Sequence, residues 1–264
     1  MLKHALATAA LLATVSAHAA FSLPSAAAVY QQSFDSLANS GANPAWVNNS
    51  TLAGWSLFNS LGATVPTYAV GTGSSNAGAF YSFGATAATD RALGGLGSSG
   101  AYFGSPTNGA VAGYMALALR NDTGLELASF ALGFDGEQWR NGGNTTAHTM
   151  VLEYGFGASF DSVTGWTAPG GAFNFTSPIA TATAAAVDGN VAGLVTGLGG
   201  TVSTSWAAGS TLWLRWIETN EMGSDHGLAI DNLNFSVTAV PEPGTWALML
   251  AGLAAVGLLA RRRA

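Results

Sequence analysis

The chain has 264 residues, eight lysines and arginines against fourteen acids, and no cysteine. Residues 20–240 contain four arginines, no lysine and thirteen acids, a formal charge of −9; such a surface repels polyphosphates, and nucleic-acid binding is excluded because it relies on basic side chains neutralising phosphate. The lack of cysteine removes thiol catalysis and thiolate-held metals, and a domain of about 200 residues buries enough core to fold without disulfides.

At the start, Lys3 and His4 precede an apolar stretch over 5–15 and the small-residue triplet Ala17-His18-Ala19. This order predicts a signal peptide over 1–19, cut by signal peptidase after Ala19. Residues 20–240 then read as one domain. Its apolar residues come in short runs rich in aromatic and β-branched members, separated by Gly, Ser, Thr, Asn and Ala, which is the pattern of an all-β chain. Strands are predicted over 29–34, 55–58, 79–83, 114–120, 125–134, 150–156, 211–219 and 226–237. Between them, Gly94-Gly95-Leu96-Gly97 reads as a turn, since it lacks the lysine and helix of a phosphate loop, and 181–186 reads as a loop after Pro178.

The clearest alternation is Leu212-Trp213-Leu214-Arg215-Trp216-Ile217. Leu212, Leu214 and Trp216 face one side and Trp213, Arg215 and Ile217 the other, and with both sides largely apolar the segment reads as a central strand. Many short strands with polar turns predict two packed antiparallel sheets, a jelly-roll-like sandwich, over an α/β arrangement.

The last predicted strand changes parity: Leu228 and Ile230 are even, while Leu233, Phe235 and Val237 are odd. A bulge at Asp231-Asn232 accounts for the change. If the first and last strands pair, Asp35 approaches Asp231, and the two acids with backbone carbonyls, Asn232 or Asp225 could hold a structural calcium, an ion that takes six to eight oxygens. The alternative is that Asp35 caps a turn and Asp231 bonds its own backbone. Glu137 with Glu218 or Glu221 is the pairing to examine for glycoside hydrolysis, which needs two carboxylates flanking the bond; equally, Arg140 and Arg215 can form internal ion pairs with Glu137 or Glu153. His148 and His226 match no zinc or hydrolase motif and read as solvated loop residues. Trp213 and Trp216 are assigned to the core. Trp46 and Trp166, set among Gly, Pro and Asn, are the expected exposed platforms for stacking a glycan.

The chain closes on Pro241-Glu242-Pro243-Gly244, an apolar run over 245–260 and Arg261-Arg262-Arg263. About 16 apolar residues rise roughly 24 Å as a helix, a marginal span of the roughly 30 Å hydrocarbon core. Trp246 suits one interface, and the three arginines form a cytoplasmic stop, leaving the body outside. A permanent anchor is one reading of this tail.

The tripartite order resembles the PEP-CTERM sorting signal over about 24 residues. The resemblance implies a substrate of an exosortase, a membrane-embedded cysteine transpeptidase cutting near Pro241, Glu242 and Pro243, in a bacterium that makes exopolysaccharide. Phe34-Asp35-Ser36-Leu37, Gly136-Glu137-Gln138-Trp139-Arg140, Leu214-Arg215-Trp216 and residues 223–233 resemble domains that precede this tail, which implies a sandwich of uncharacterised role. The similarity of the Asp35 and Asp231 placement to carbohydrate-binding jelly rolls implies the calcium above. The expected product is an exported, non-enzymatic surface or extracellular-matrix protein, inner-membrane-tethered before processing, with 1–19 as leader, 20–240 as sandwich and 241–264 as sorting tail. Its partners would be signal peptidase, exosortase, the membrane and exopolysaccharide. An exopolysaccharide-binding module is the alternative, and an envelope glycan hydrolase a more distant one.

Overall fold

Aromatic and β-branched runs favour a pleated, half-buried surface, and Gly, Asn and Ser favour the turns between. The computed structural model, which describes residues 20–240, 244, 248–253 and 261, pairs these runs into two sheets. In chain order the strands are β1 (Phe21–Leu23), β2 (Tyr30–Gln32), β3 (Trp55–Asn59), β4 (Ala69–Gly71), β5 (Ala79–Phe83), β6 (Ala92–Leu96) and β7 (Ala110–Asn121), then β8 (Leu127–Asn141), β9 (Thr149–Phe156), β10 (Phe175–Thr176), β11 (Ala185–Ala186), β12 (Leu194–Trp206), β13 (Thr211–Asn220) and β14 (Gly227–Ala239). One sheet runs β1-β7-β13-β9-β10, with β3 also on β7. The other runs β11-β8-β14-β6-β5-β4, with β12 also on β8 and β2 also on β14.

The inner faces of the two sheets share one apolar core. Trp55 stacks on Trp216 with ring centroids 5.5 Å apart, while Phe34 and Phe134 meet these rings edge-on at 5.0 and 5.6 Å. Such pairs add about 0.5–1.5 kcal/mol each beyond the area they bury. β13 is central, between β7 and β9, and its alternation runs as expected: Leu212, Leu214 and Trp216 join the main core, while Trp213 joins a separate cluster with Phe58, Ala116, Ala118, Phe160 and Val163.

Several features depart from the sequence expectation, among them β11, which forms inside the 181–186 stretch read as a loop. β1 on β7 and β4 on β5 are parallel, so the sandwich is not uniformly antiparallel. Gly94 and Gly95 form no turn but lie in β6, paired to both β5 and β14. Neighbours press on them: a Cβ on Gly94 would lie 2.2 Å from the Leu228 carbonyl oxygen, and one on Gly95 would lie 2.7 Å from Glu218 Oε2. β8 continues past 134 to Asn141, and β12 arises from a glycine-rich stretch with no predicted strand. The bulge in β14 is present, with a register shift between Asp231 and Asn234 and Asn232 at φ 51°.

Residues 1–19, expected as a signal peptide, lie outside the described residues, as does most of the apolar run over 245–260. Residues 248–253 are helical and exposed. Among the described residues no helix is long and apolar enough to cross a membrane.

Candidate functional site

At its bulge β14 exchanges one neighbour for another. It pairs with β6 up to Ile230 and with β2 from Leu233 onward. Ile230 points into the main core, whereas Ala229, one residue earlier, packs with Tyr81, Phe83 and Trp139 in a second cluster. Asp231 is 2% exposed and its Oδ1 has no hydrogen-bond partner. Burial pushes its carboxyl up to about 8, and the nearby charges of Glu137, Asp90 and Asp35 push in the same direction. Glu137, also buried, accepts a hydrogen bond from Trp139 Nε1 at 2.7 Å; burial raises it to about 7, with Asp90, Asp135 and Asp188 adding to the rise. Asp35 Oδ1 accepts the Arg91 backbone N–H at 3.1 Å. The buried Arg91 guanidinium bonds to Ser82 and Ala85 and pairs with no carboxylate among the described residues. β2 pairs Gln32 with Leu233, so the chain leaving β2 runs toward the bulge with Asp35 three residues on. Among the described residues no three acids or histidines converge tightly enough to hold a metal by themselves.

A second cluster lies at the turn from β13 to β14. Glu218 is buried on β13 and raised well above the usual carboxylate range by burial, with Asp225 and Glu221 adding repulsion. Asp225 Oδ1 accepts the Glu221 backbone N–H at 2.6 Å, and burial raises Asp225 to about 7. His148 and His226 were expected in solvent but are buried, with ring centroids 4.2 Å apart. Gly142 N–H donates to His226 Nδ1 at 2.9 Å and His226 N–H donates to His148 Nδ1 at 3.2 Å. With Nδ1 accepting, the neutral ring carries its proton on Nε2, and His226 Nε2 is buried without a partner. Burial lowers both histidines, His148 to about 4. The Glu137 pairing with Glu218 or Glu221 does not form: Glu137 belongs to β8 and the first cluster, Glu218 to β13 and the second.

Next to this second cluster is a cavity of about 460 Å³, lined among others by Asn76, Ser98, Asn108, Arg140, Asn220 and Asp225. Arg140, at the end of β8, is half-buried and its Nη1 donates to the carbonyls of Gly73 and Ser74 at 3.0 and 3.2 Å. It forms no ion pair among the described residues, whereas Arg215 pairs with Glu153, its Nε donating to Oε2 at 2.8 Å. Asn220 is buried and donates from Nδ2 to the Pro106 carbonyl at 3.1 Å and to Asn108 Oδ1 at 3.3 Å. Apart from Arg140 and Asp225, these lining residues carried no sequence signal, because they come from well-separated segments with no shared spacing. A second cavity of about 470 Å³ lies over Gln31, Gln32, Asn232 and Asn234.

Of the two expected stacking platforms, one is buried and the other is covered on one face. Trp46 is 2% exposed, edge-on to Tyr68 at 5.8 Å, and its Nε1 donates to Asn48 Oδ1 at 2.8 Å. The bridge between Ala45 and Thr67 draws this segment into the core, so Trp46 is not a surface platform. Trp166 is half-buried, and the Arg215 guanidinium lies 3.9 Å from its ring centroid and 4.6 Å from that of Tyr114. That cation–π contact covers one face of the ring.

Pro241, Glu242, Pro243, Arg262 and Arg263 lie outside the described residues; Arg261 is helical and exposed. No curated protein matches the chain. Among solved structures the chain is similar to the CBM22-1 xylan-binding domain of Paenibacillus barcinonensis Xyn10C, at 11% identity and a TM-score of 0.38, over 80% of this chain and 94% of that one. Residues 239–263 match the PEP-CTERM protein-sorting motif, so the chain carries a PEP-CTERM sorting tail.

Proposed function

We propose that this chain is an exported, non-enzymatic surface or extracellular-matrix protein, a jelly-roll-like sandwich that an exosortase sorts through its C-terminal tail. The observation that carries this reading is the sorting motif at 239–263, with its turn, apolar run and terminal arginines in order. In this scheme signal peptidase removes 1–19, the apolar run holds the body at the inner membrane, and cleavage near Pro241, Glu242 and Pro243 frees it to the cell surface or matrix. A direct test expresses the tagged full-length chain in an exosortase-positive host and in its deletion strain. The reading expects tagged protein to leave the membrane fraction in the first host alone; identical fractionation in both refutes it.

Calcium at the β14 bulge belongs to the same proposal. Asp231 supplies a buried carboxylate oxygen with no partner, and Asp35 follows β2, which pairs with β14 just past the bulge. Two acids with backbone carbonyls and water meet the oxygen-rich coordination calcium prefers. The ion would stabilise the junction where β14 exchanges β6 for β2. Melting the full-length chain with calcium and with chelator tests this: a higher midpoint in calcium that disappears in Asp231→Asn is expected, and an unchanged midpoint removes the ion.

Binding of exopolysaccharide is a second reading, favoured by the polar cavity beside Arg140 rather than by Trp46 or Trp166. Amide, hydroxyl, carboxyl and guanidinium groups held in place around a space of this size suit a ligand rich in hydroxyls. Retention of the full-length chain in a polysaccharide affinity gel would support this reading, and unretarded migration would end it.

A further inference from the structure

Arginine is scarce in the body, and three of its four arginines are already accounted for. Arg120 pairs with Asp122, Arg215 pairs with Glu153, and Arg91 is buried against Ser82 and Ala85. Arg140 alone lines a large cavity without a carboxylate partner among the described residues. Its Nη1 is committed to Gly73 and Ser74, which fixes the plane of the guanidinium. Nε and Nη2, the donors with which Arg215 grips Glu153, remain open as a fork. A fork of this kind matches a carboxylate bidentately, with charge-assisted bonds stronger than neutral ones.

We propose that this cavity binds a uronic acid unit of a polysaccharide, its carboxylate on the Arg140 guanidinium and its hydroxyls on Asp225, Asn220 and the serines of the rim. The inference rests on the glycan-binding reading above and names its ligand class. At about 460 Å³ the space suits one or two sugar units. No aromatic ring lines it, so directional polar contacts rather than stacking set selectivity. Those contacts are positioned in advance: Asp225 by Glu221 N–H, Asn220 by Pro106 and Asn108, and Arg140 by two carbonyls. Preorganisation of this kind lowers the ordering cost of binding.

The test titrates the detergent-solubilised full-length chain with trigalacturonate, a neutral galactose trisaccharide, free galacturonate and acetate. Trigalacturonate should bind at least about tenfold more tightly than the neutral trisaccharide and than acetate, and Arg140→Gln should remove about tenfold or more of that affinity. Ser224→Trp, at an exposed rim position, should block binding without touching Arg140, and it decides the matter if Arg140→Gln does not fold. Free galacturonate binding as tightly as the trimer would confine the site to one sugar and still support the assignment. Equal binding of acidic and neutral trisaccharides would overturn the uronate assignment while sparing the glycan reading. Acetate binding as tightly as the sugars would overturn the sugar class, and no binding of any saccharide would overturn both.

Discussion

The tail and the body of this chain hold their information in opposite ways. In residues 239–263 it lies in the linear order of three short segments, so the tail is recognisable before any fold is known. In residues 20–240 it lies in convergence: the cavity beside Arg140 draws side chains from Asn76 to Asp225, and no local pattern marks them as neighbours. An address read by a membrane enzyme can be linear, whereas a binding surface or ion site exists only once distant strands have met. The two regions should therefore fail independently.

The largest expected effect separates them completely. Replacing Pro241, Glu242 and Pro243 together by alanine should abolish processing in an exosortase-positive host and leave the body's melting midpoint unchanged. A midpoint displaced by more than about 4 °C, roughly 1–2 kcal/mol in a domain of this size, would show that the regions are coupled. Next come two tryptophans that the sequence alone treats as equivalent. Trp46→Ala should cost about 3–5 kcal/mol, as expected for a large aromatic removed from a core. Trp166→Ala should cost about 1 kcal/mol, chiefly its contact with Arg215. Equal losses in denaturant melts would mean that their burial does not differ as described, and neither change should alter processing.

A smaller effect tests the body's electrostatics. Asp231, Glu137 and Asp225 are raised by burial to about 8, 7 and 7, so the folded state retains protons that the unfolded chain releases. Their contribution is complete below the unfolded carboxylate range and is lost as pH rises through the folded values. The histidines run the other way: His148 is lowered to about 4, so its contribution is present above the unfolded value of 6.5 and is lost as pH falls toward 4. Above 6.5 the histidines add only what remains of their unfolded-state deprotonation, and the loss from the three carboxyls sets the sign of the slope. Calcium-free protein should melt lower at pH 8.5 than at pH 6.5, and calcium should narrow the gap by relieving Asp231. A midpoint that is flat or rises over this interval would contradict the buried carboxyl clusters.

Much of the sandwich was legible because burial repeats with the strand period. The alternation from Leu212 to Ile217 predicted a central strand with two apolar faces, and the parity change after Ile230 predicted the bulge, since neither depends on a distant partner. The illegible parts depend on what lies opposite. Gly94 and Gly95 look like a turn until the Leu228 carbonyl and the Glu218 carboxylate are seen to leave no room for a side chain. Trp46 sits among residues typical of a loop, yet one bridge from Ala45 to Thr67 carries it into the core. His148 and His226 are separated by 78 positions and become a buried pair only when β9 and β14 begin at the same end of the sandwich. Arg140 could be singled out by scarcity, but its lack of an acidic partner could not be foreseen while Glu137 stood three residues away.

The most direct test of sorting is the intact mass of the mature chain recovered from an exosortase-positive host beside that from its deletion strain. The account predicts that the first chain begins after Ala19, ends near Pro241, Glu242 and Pro243, and lacks Arg261, Arg262 and Arg263, while the second retains them. The same C-terminus in both strains would contradict it.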